Sequence, residues 1–306
     1  MCRARKSGCL RRKSGSLKPF FILEYITIYM TIMLNKFKNK IETAKKELFD
    51  SCVRFGLKDG QRDYTRFIIL GRGRSGSTWL ATLLRTNEHV RCFGEMFNAK
   101  KLSKNSMGWD VPGYRTKACQ LERLQTEPVA FLQDEVFAPM PAHIEAVGFK
   151  LFYYHAKSEN LAPIWDYLQG TNLKVIHLRR RNLLASCLST VAAADTGNYR
   201  FNKMSESNFK AYNISYDTCL TFFESTRKFE EKFSEFFPDI LEVFYENLKS
   251  DCDFQMHEIQ KFIGVSPKKL RSSLKQQNLV PLKQRIENYD DLKNRFYGTP
   301  YECFFE

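Results

Sequence analysis

From about residue 62 onward, short apolar runs alternate with longer stretches in which apolar positions recur at helical spacing. The runs Phe67–Leu70, Lys174–Leu178 and Ile240–Phe244 have the length and β-branched content of buried strands. His89–Glu95 predicts a further short strand and turn, and Ala146–His155 (AVGFKLFYYH) another strand. Between them, Trp79–Arg85 places Trp79, Leu80, Leu83 and Leu84 on one helical face. Further helices are expected over 117–126, 129–137, 161–168, 183–194 and 212–237, the last ended before Pro238, and over 254–263, stopped at Gly264. Residues 100–114, with Gly108, Pro112 and Gly113, read as loop, and 193–206 as a polar lid. Strands alternating with helices predict a parallel sheet covered by helices on both faces. No internal repeat is visible.

The first 61 residues follow another pattern. Residues 1–18 carry Arg3, Arg5, Lys6, Arg11, Arg12, Lys13 and Lys18 and no acid, and few core-forming residues. Pro19–Leu34 is apolar apart from Glu24, and shorter than the ~20 residues that a spanning helix needs. We read 19–34 as a peripheral helix, or as residues ahead of a start at Met30 or Met33, in a cytoplasmic protein. The alternative is a single-pass membrane anchor with its basic flank on the cytoplasmic side. Lys36–Phe49 has the charge pattern of an exposed helix. The chain thus divides into a basic, apolar and helical extension, 1–61, and one domain, 62–306.

Composition narrows the class. A hydrophobic content of 43% with 26 Phe supports a real core. The net charge of +14 calls for an anionic partner, but half of it lies in residues 1–18. What remains is modest for a nucleic-acid binder, and no nucleic-acid partner is expected. Nine scattered cysteines form no Cys-x-x-Cys pair, and no cluster has the spacing of a metal site.

The chemistry concentrates in GRGRSGSTWL. Gly71, Gly73 and Gly76, mixed with Arg72, Arg74, Ser75, Ser77 and Thr78, separate a strand from a helix N-terminus. That arrangement makes an anion cradle, because glycine admits close backbone approach and the first helical N–H groups are unpaired. Gly71 and Gly76 have the spacing of a nucleotide-triphosphate loop, but Ser77 stands at its lysine position. An arginine within a serine-rich loop suits a phosphate ester carrying a transferable sulfonate. The run resembles the 5′-phosphosulfate loop of sulfotransferases that use 3′-phosphoadenosine-5′-phosphosulfate (PAPS).

Such an enzyme must also hold a 3′-phosphate. The second strand–turn–helix unit, HLRRRNLLASCLS, resembles the 3′-phosphate motif of that family, above all in bacterial carbohydrate sulfotransferases of the nodulation-factor type. Arg181 and Ser189 have the spacing of an arginine at a strand end and a serine about two turns into the helix, with Arg179 beside them. Asn182 stands where aspartate is usual, which leaves the choice among Arg179, Arg180 and Arg181 open. Glu95 follows the strand after the first helix, at the sheet edge where α/β ligands bind, and is the candidate base. Its segment, Arg91–Glu95, is similar to the base segment of tyrosylprotein sulfotransferases, with Phe93 inserted. Lys150, inside an apolar strand, either faces the sulfonate or substrate or extends its head to solvent. His155 is a second base candidate. The run 283–301 resembles nodulation-type C-terminal ends, which cover the adenine side.

The resemblance implies a three-layer α/β/α domain with a central parallel sheet, of the P-loop nucleotide-kinase-like sulfotransferase type. It implies transfer of the PAPS sulfonate to a hydroxyl of a carbohydrate or glycolipid, without a metal. Arg72, Gly73, Arg74, Ser75, Gly76, Ser77 and Thr78 would hold the phosphosulfate; Arg179, Arg181 and Ser189 the 3′-phosphate; Glu95 and Lys150 would be catalytic. A tyrosylprotein-type sulfotransferase with a peptide acceptor, an ATP-dependent small-molecule kinase with a degenerate loop, and a non-enzymatic anion- or membrane-binding protein are the alternatives. The kinase predicts a loop lysine, which Ser77 replaces.

Overall fold

In the computed structural model five strands form one parallel sheet, ordered β2-β3-β1-β4-β5. They are β1 Thr65–Gly71, β2 Val90–Glu95, β3 Ala146–Phe152, β4 Leu173–Arg179 and β5 Ile240–Phe244. The structure describes residues 30, 33–34, 37–38, 41, 44–45, 48–49, 51–53, 56–102, 104, 107–111, 114, 116–197, 210–272 and 280–305. The chain falls into two compact units, 1–50 and 51–306. In the first, the described residues are helical, including those within the expected helix 36–49. The basic run 1–18 and most of 19–34 lie outside the described residues, as do residues 198–206 of the expected lid. Among the described residues no helix is long and apolar enough to cross a membrane.

Strand β1 explains why both faces are covered. Its side chains alternate: Phe67 and Ile69 enter one buried cluster, Ile68 and Leu70 the other. The first cluster joins α1 (Ser77–Leu84) to Met256 and Ile259 of a helix near the C-terminus. The second takes residues from α3 (Ala118–Thr126), α4 (Pro128–Phe131) and α5 (Pro163–Gln169). Ala99–Leu102 is the short α2 that precedes them. After β4 come α6 (Leu183–Thr196) and α7 (Tyr216–Phe236). After β5 come α8 (Tyr245–Ser250) and α9 (Cys252–Phe262), then α10 (Leu282–Arg285) and α11 (Tyr289–Phe296). A third cluster packs α6 and α7 against the C-terminal residues Phe296, Phe304 and Phe305.

Several local outcomes depart from the pattern reading. The expected helix 129–137 is α4 followed by a π-helical turn, Leu132–Val136. The strand read through His155 ends at Phe152, because His155 folds back: its N–H donates to Phe152 O at 2.8 Å, and its Nδ1 accepts the Phe152 N–H at 3.2 Å. Helix α7 starts at Tyr216 rather than 212, where Ser215 caps it by accepting the Thr218 N–H. Tyr212 instead bridges to Ile286. Helix α8, absent from the pattern reading, carries only Leu248 as a buried residue, too little apolar periodicity to announce it.

Candidate active site

Strand β1 lies between β3 and β4, so the chain leaves its carboxyl end with neighbours reached in opposite directions. That crevice is where open α/β sheets bind ligands. The loop after β1 turns sharply through Arg74 (φ 72°) and Gly76 (φ 92°), both in the left-handed region. Gly76, lacking a side chain, caps α1 with no side-chain hydrogen bond of its own, and among the described residues no side chain bonds the helix's first N–H groups. Ser75, buried, closes the loop by donating to Arg72 O at 2.7 Å.

The loop's other parts are tied to the second unit. Arg74 Nε donates to Ser189 Oγ at 2.9 Å, and Ser186 Oγ and Arg180 Nη1 both donate to Arg74 O, at 3.4 and 3.2 Å. Arg72 stacks over Phe222 of α7 at 3.9 Å and donates to Ser225 Oγ. Ser77 is buried in the first turn of α1, and Thr78 is exposed beside it.

The three consecutive arginines part company. Arg179 is spent on carboxylates: Nη2 lies 3.1 Å from buried Glu230 and Nη1 2.6 Å from Glu242. Arg181 is exposed, stacks over Phe244 and donates to Asn247 Oδ1 at 2.7 Å. The structure brings neither to the loop. Arg180 is the one that turns toward it, over the ring of Tyr245 at 4.8 Å; its Nε makes no hydrogen bond among the described residues but lies 3.9 Å from Glu246 Oε1. Burial pulls its pKa down, against Tyr245 and Glu246. Arg285 of α10 is also buried, and its pKa is lowered by burial and again by the charge of Arg180. No carboxylate among the described residues pairs with Arg285. Half-buried Arg180, with Glu246 at 3.9 Å, and buried Arg285, whose charges repel each other, together favour an anion between them. Arg285 carried no local signal, since it lies on a four-residue helix over a hundred positions from β4.

On the other side of the loop, buried Lys150 of β3 points its Nζ at Glu95 Oε1 (3.2 Å) and Thr78 Oγ1 (3.3 Å). Asn98 Nδ2 donates to Glu95 Oε2 at 2.5 Å. Burial opposes ionisation of Glu95, but Lys150, Asn98, Lys101 and His155 together outweigh it and hold its pKa below the ordinary carboxylate value. Burial lowers the pKa of Lys150 and Glu95 opposes that fall; at 3.2 Å we read a charged pair. Asn98 escapes sequence reading, since one amide three positions past a glutamate is unremarkable without the fold. His155 is buried, with Nε2 unpartnered among the described residues; burial pushes its pKa down to about 4, against Glu95. At neutral pH it is therefore an uncharged imidazole. Glycine-bounded backbone donors, several arginines and an ionised carboxylate thus sit around one crevice, where an anion can be held beside a base.

The sulfotransferase domain profile matches residues 64–296. Nodulation protein H of Rhizobium tropici is 25% identical over 248 residues, covering 78% of this chain and 92% of that protein. Nodulation protein H of Rhizobium meliloti (strain 1021) is 26% identical over 249 residues, covering 78% and 94%. Among solved structures, the sulfotransferase domain from the Synechococcus PCC 7002 olefin synthase aligns with a TM-score of 0.39 and 17% identity, covering 68% of this chain and 78% of that one.

Proposed function

The chain belongs to the sulfotransferase domain family, and from that premise we propose that it moves the sulfonate of PAPS to a hydroxyl of a carbohydrate or glycolipid. The single observation that carries the site assignment is Glu95, ionised and held by Lys150 and Asn98 beside the loop. The likeness to two nodulation proteins supports the sugar-type acceptor.

The residues suit the group. Gly71 and Gly73 let the loop backbone pack closely, since a Cβ would stand 2.5 Å from Leu178 O at 71 and 2.4 Å from Tyr154 Oη at 73. PAPS, when bound, supplies a sulfonate whose bond to the bridging oxygen breaks as 3′,5′-ADP leaves. Arg74 and the loop residues Arg72 to Thr78 would hold the phosphosulfate end and offset charge growing on the bridging oxygen. Arg180, Arg285 and Ser189 would hold the 3′-phosphate, in place of Arg179 and Arg181, whose side chains are engaged elsewhere. Glu95 would take the acceptor proton as the acceptor oxygen forms the new bond to sulfur. Lys150 would hold Glu95 in place and keep it ionised. Residues 62–306 would form the catalytic domain, working in the cytoplasm.

Two results test this reading. The chain is expected to bind 3′,5′-ADP much more tightly than ADP or 5′-AMP by calorimetry, and Arg180→Ala to remove most of that preference. Equal affinities for the three nucleotides would defeat the second anion site. The other result concerns pH. Lys150→Met removes a charge that stabilises the Glu95 carboxylate, so the Glu95 pKa rises. A base works only when deprotonated, so the acid limb of the transfer rate should move to higher pH in the variant. An unmoved limb would separate Lys150 from the base.

A further inference from the structure

Tyr154 stands against the loop, and no role above uses it. It sits in the turn that ends β3, between two inward side chains, Tyr153 (2% exposed) and His155 (4%), and is itself 41% exposed. The turn is fixed by the two His155–Phe152 hydrogen bonds and by Ala156 at φ 51°. Its ring rests on Phe152 and His155, with centroids 5.8 and 5.3 Å away. Those contacts aim the phenol at Gly73.

The approach to Gly73 is close. A Cβ there would stand 2.4 Å from Tyr154 Oη, while its next neighbours, Phe152 Cε2 and Tyr154 Cζ, would be at 3.6 and 3.7 Å. A side chain at 73 would have to displace that hydroxyl. Gly73 therefore serves by lacking a Cβ, not by an unusual φ. Burial and Glu95 raise the phenol's pKa, against Arg72, the Gly73 N–H and Arg74. The hydroxyl stays protonated at neutral pH, in surroundings that otherwise attract anions. No oxygen among the described residues accepts its proton. A phenylalanine would pack the same ring, so packing does not account for the hydroxyl.

We propose that Tyr154 is a further catalytic residue, whose hydroxyl donates a hydrogen bond to the sulfonate held at the Gly73 end of the loop. The inference rests on the PAPS reading above. A neutral donor there would add to Arg74 without adding charge, and would strengthen as negative charge redistributes during transfer. Because 3′,5′-ADP lacks the sulfonate, its binding should not sense the hydroxyl.

The test uses the full chain with Tyr154→Phe, titrated calorimetrically with PAPS and with 3′,5′-ADP, and assayed for single-turnover transfer. Affinity for 3′,5′-ADP is expected to stay within about twofold, while PAPS affinity or the transfer rate falls about tenfold, as for loss of one hydrogen bond to a charged group. Gly73→Ala pushes the hydroxyl off the loop and should reproduce the effect, with the double variant no worse than either single one. Equal losses for both nucleotides would make Tyr154 a strut and overturn the proposal, as would unchanged PAPS affinity and rate. If the parent chain binds neither nucleotide, the PAPS reading itself fails. If it binds and transfers while Tyr154→Phe is silent, only the role of Tyr154 falls.

Discussion

Glu95→Gln is expected to lower the transfer rate by about 10²-fold or more, the usual scale for losing a general base, while 3′,5′-ADP affinity stays near that of the parent. Glutamine keeps the side-chain length and one acceptor oxygen for Lys150 or Asn98, the two groups that now bond the carboxylate. What it cannot do is take the acceptor's proton. The carboxylate is ionised in the resting protein, because nearby cations and the Asn98 amide outweigh its burial. The loss should therefore persist across neutral pH rather than appear only at the acid end. Single-turnover transfer, with parallel titration of 3′,5′-ADP, separates the two quantities. A near-normal rate would move the base elsewhere, and buried neutral His155, whose Nε2 has no hydrogen-bond partner among the described residues, would be the residue to replace next.

Arg74→Ala should behave differently, with nucleotide affinity and turnover falling together, the rate by about 10²-fold. In the proposed role, Arg74 meets the phosphosulfate in the ground state and stabilises the leaving bridging oxygen later. It also bonds Ser189 through Nε, so its removal frees a hydroxyl in the second anion site. Its backbone at φ 72° is equally strained in either residue, so the change isolates the guanidinium. Arg74→Lys should recover part of the loss, since a point charge remains while the planar fork is gone. Loss of turnover with unchanged affinity would confine Arg74 to the transition state.

The comparison of Glu95 with the three arginines shows how far local sequence reaches. The glycine-rich loop is legible because its parts are contiguous: a strand, glycines, hydroxyls and a helix start follow one another directly and fix one conformation by backbone chemistry. The parallel sheet follows from the alternation of apolar runs and helices, since only crossover connections join parallel strands. Glu95 is legible as the residue at a strand's carboxyl end. Its partners are less so. Lys150 pairs with it across 55 positions, through a register between β2 and β3 that shifts between Cys92 and Glu95.

The proposed second anion site is where the sequence runs out. Arg179, Arg180 and Arg181 are identical residues in one run, and spacing to Ser189 points to the last of them. In the structure it is the middle one, Arg180, that bonds the loop, through Arg74 O. Glu230 and Glu242, 51 and 63 positions away, capture Arg179 as β4 ends. Asn247 of α8 and Phe244 draw Arg181 to the surface, while Tyr245 supports Arg180 against the loop. Arg285 joins it from the far end of the chain. The sequence by itself determined the parallel sheet, the glycine-rich turn after β1 and the position of Glu95 at the end of β2, because those rest on local backbone geometry and strand order. Which guanidinium faces the crevice was decided only by folding, because a buried charge goes where distant carboxylates and rings leave it, and those neighbours meet only in three dimensions.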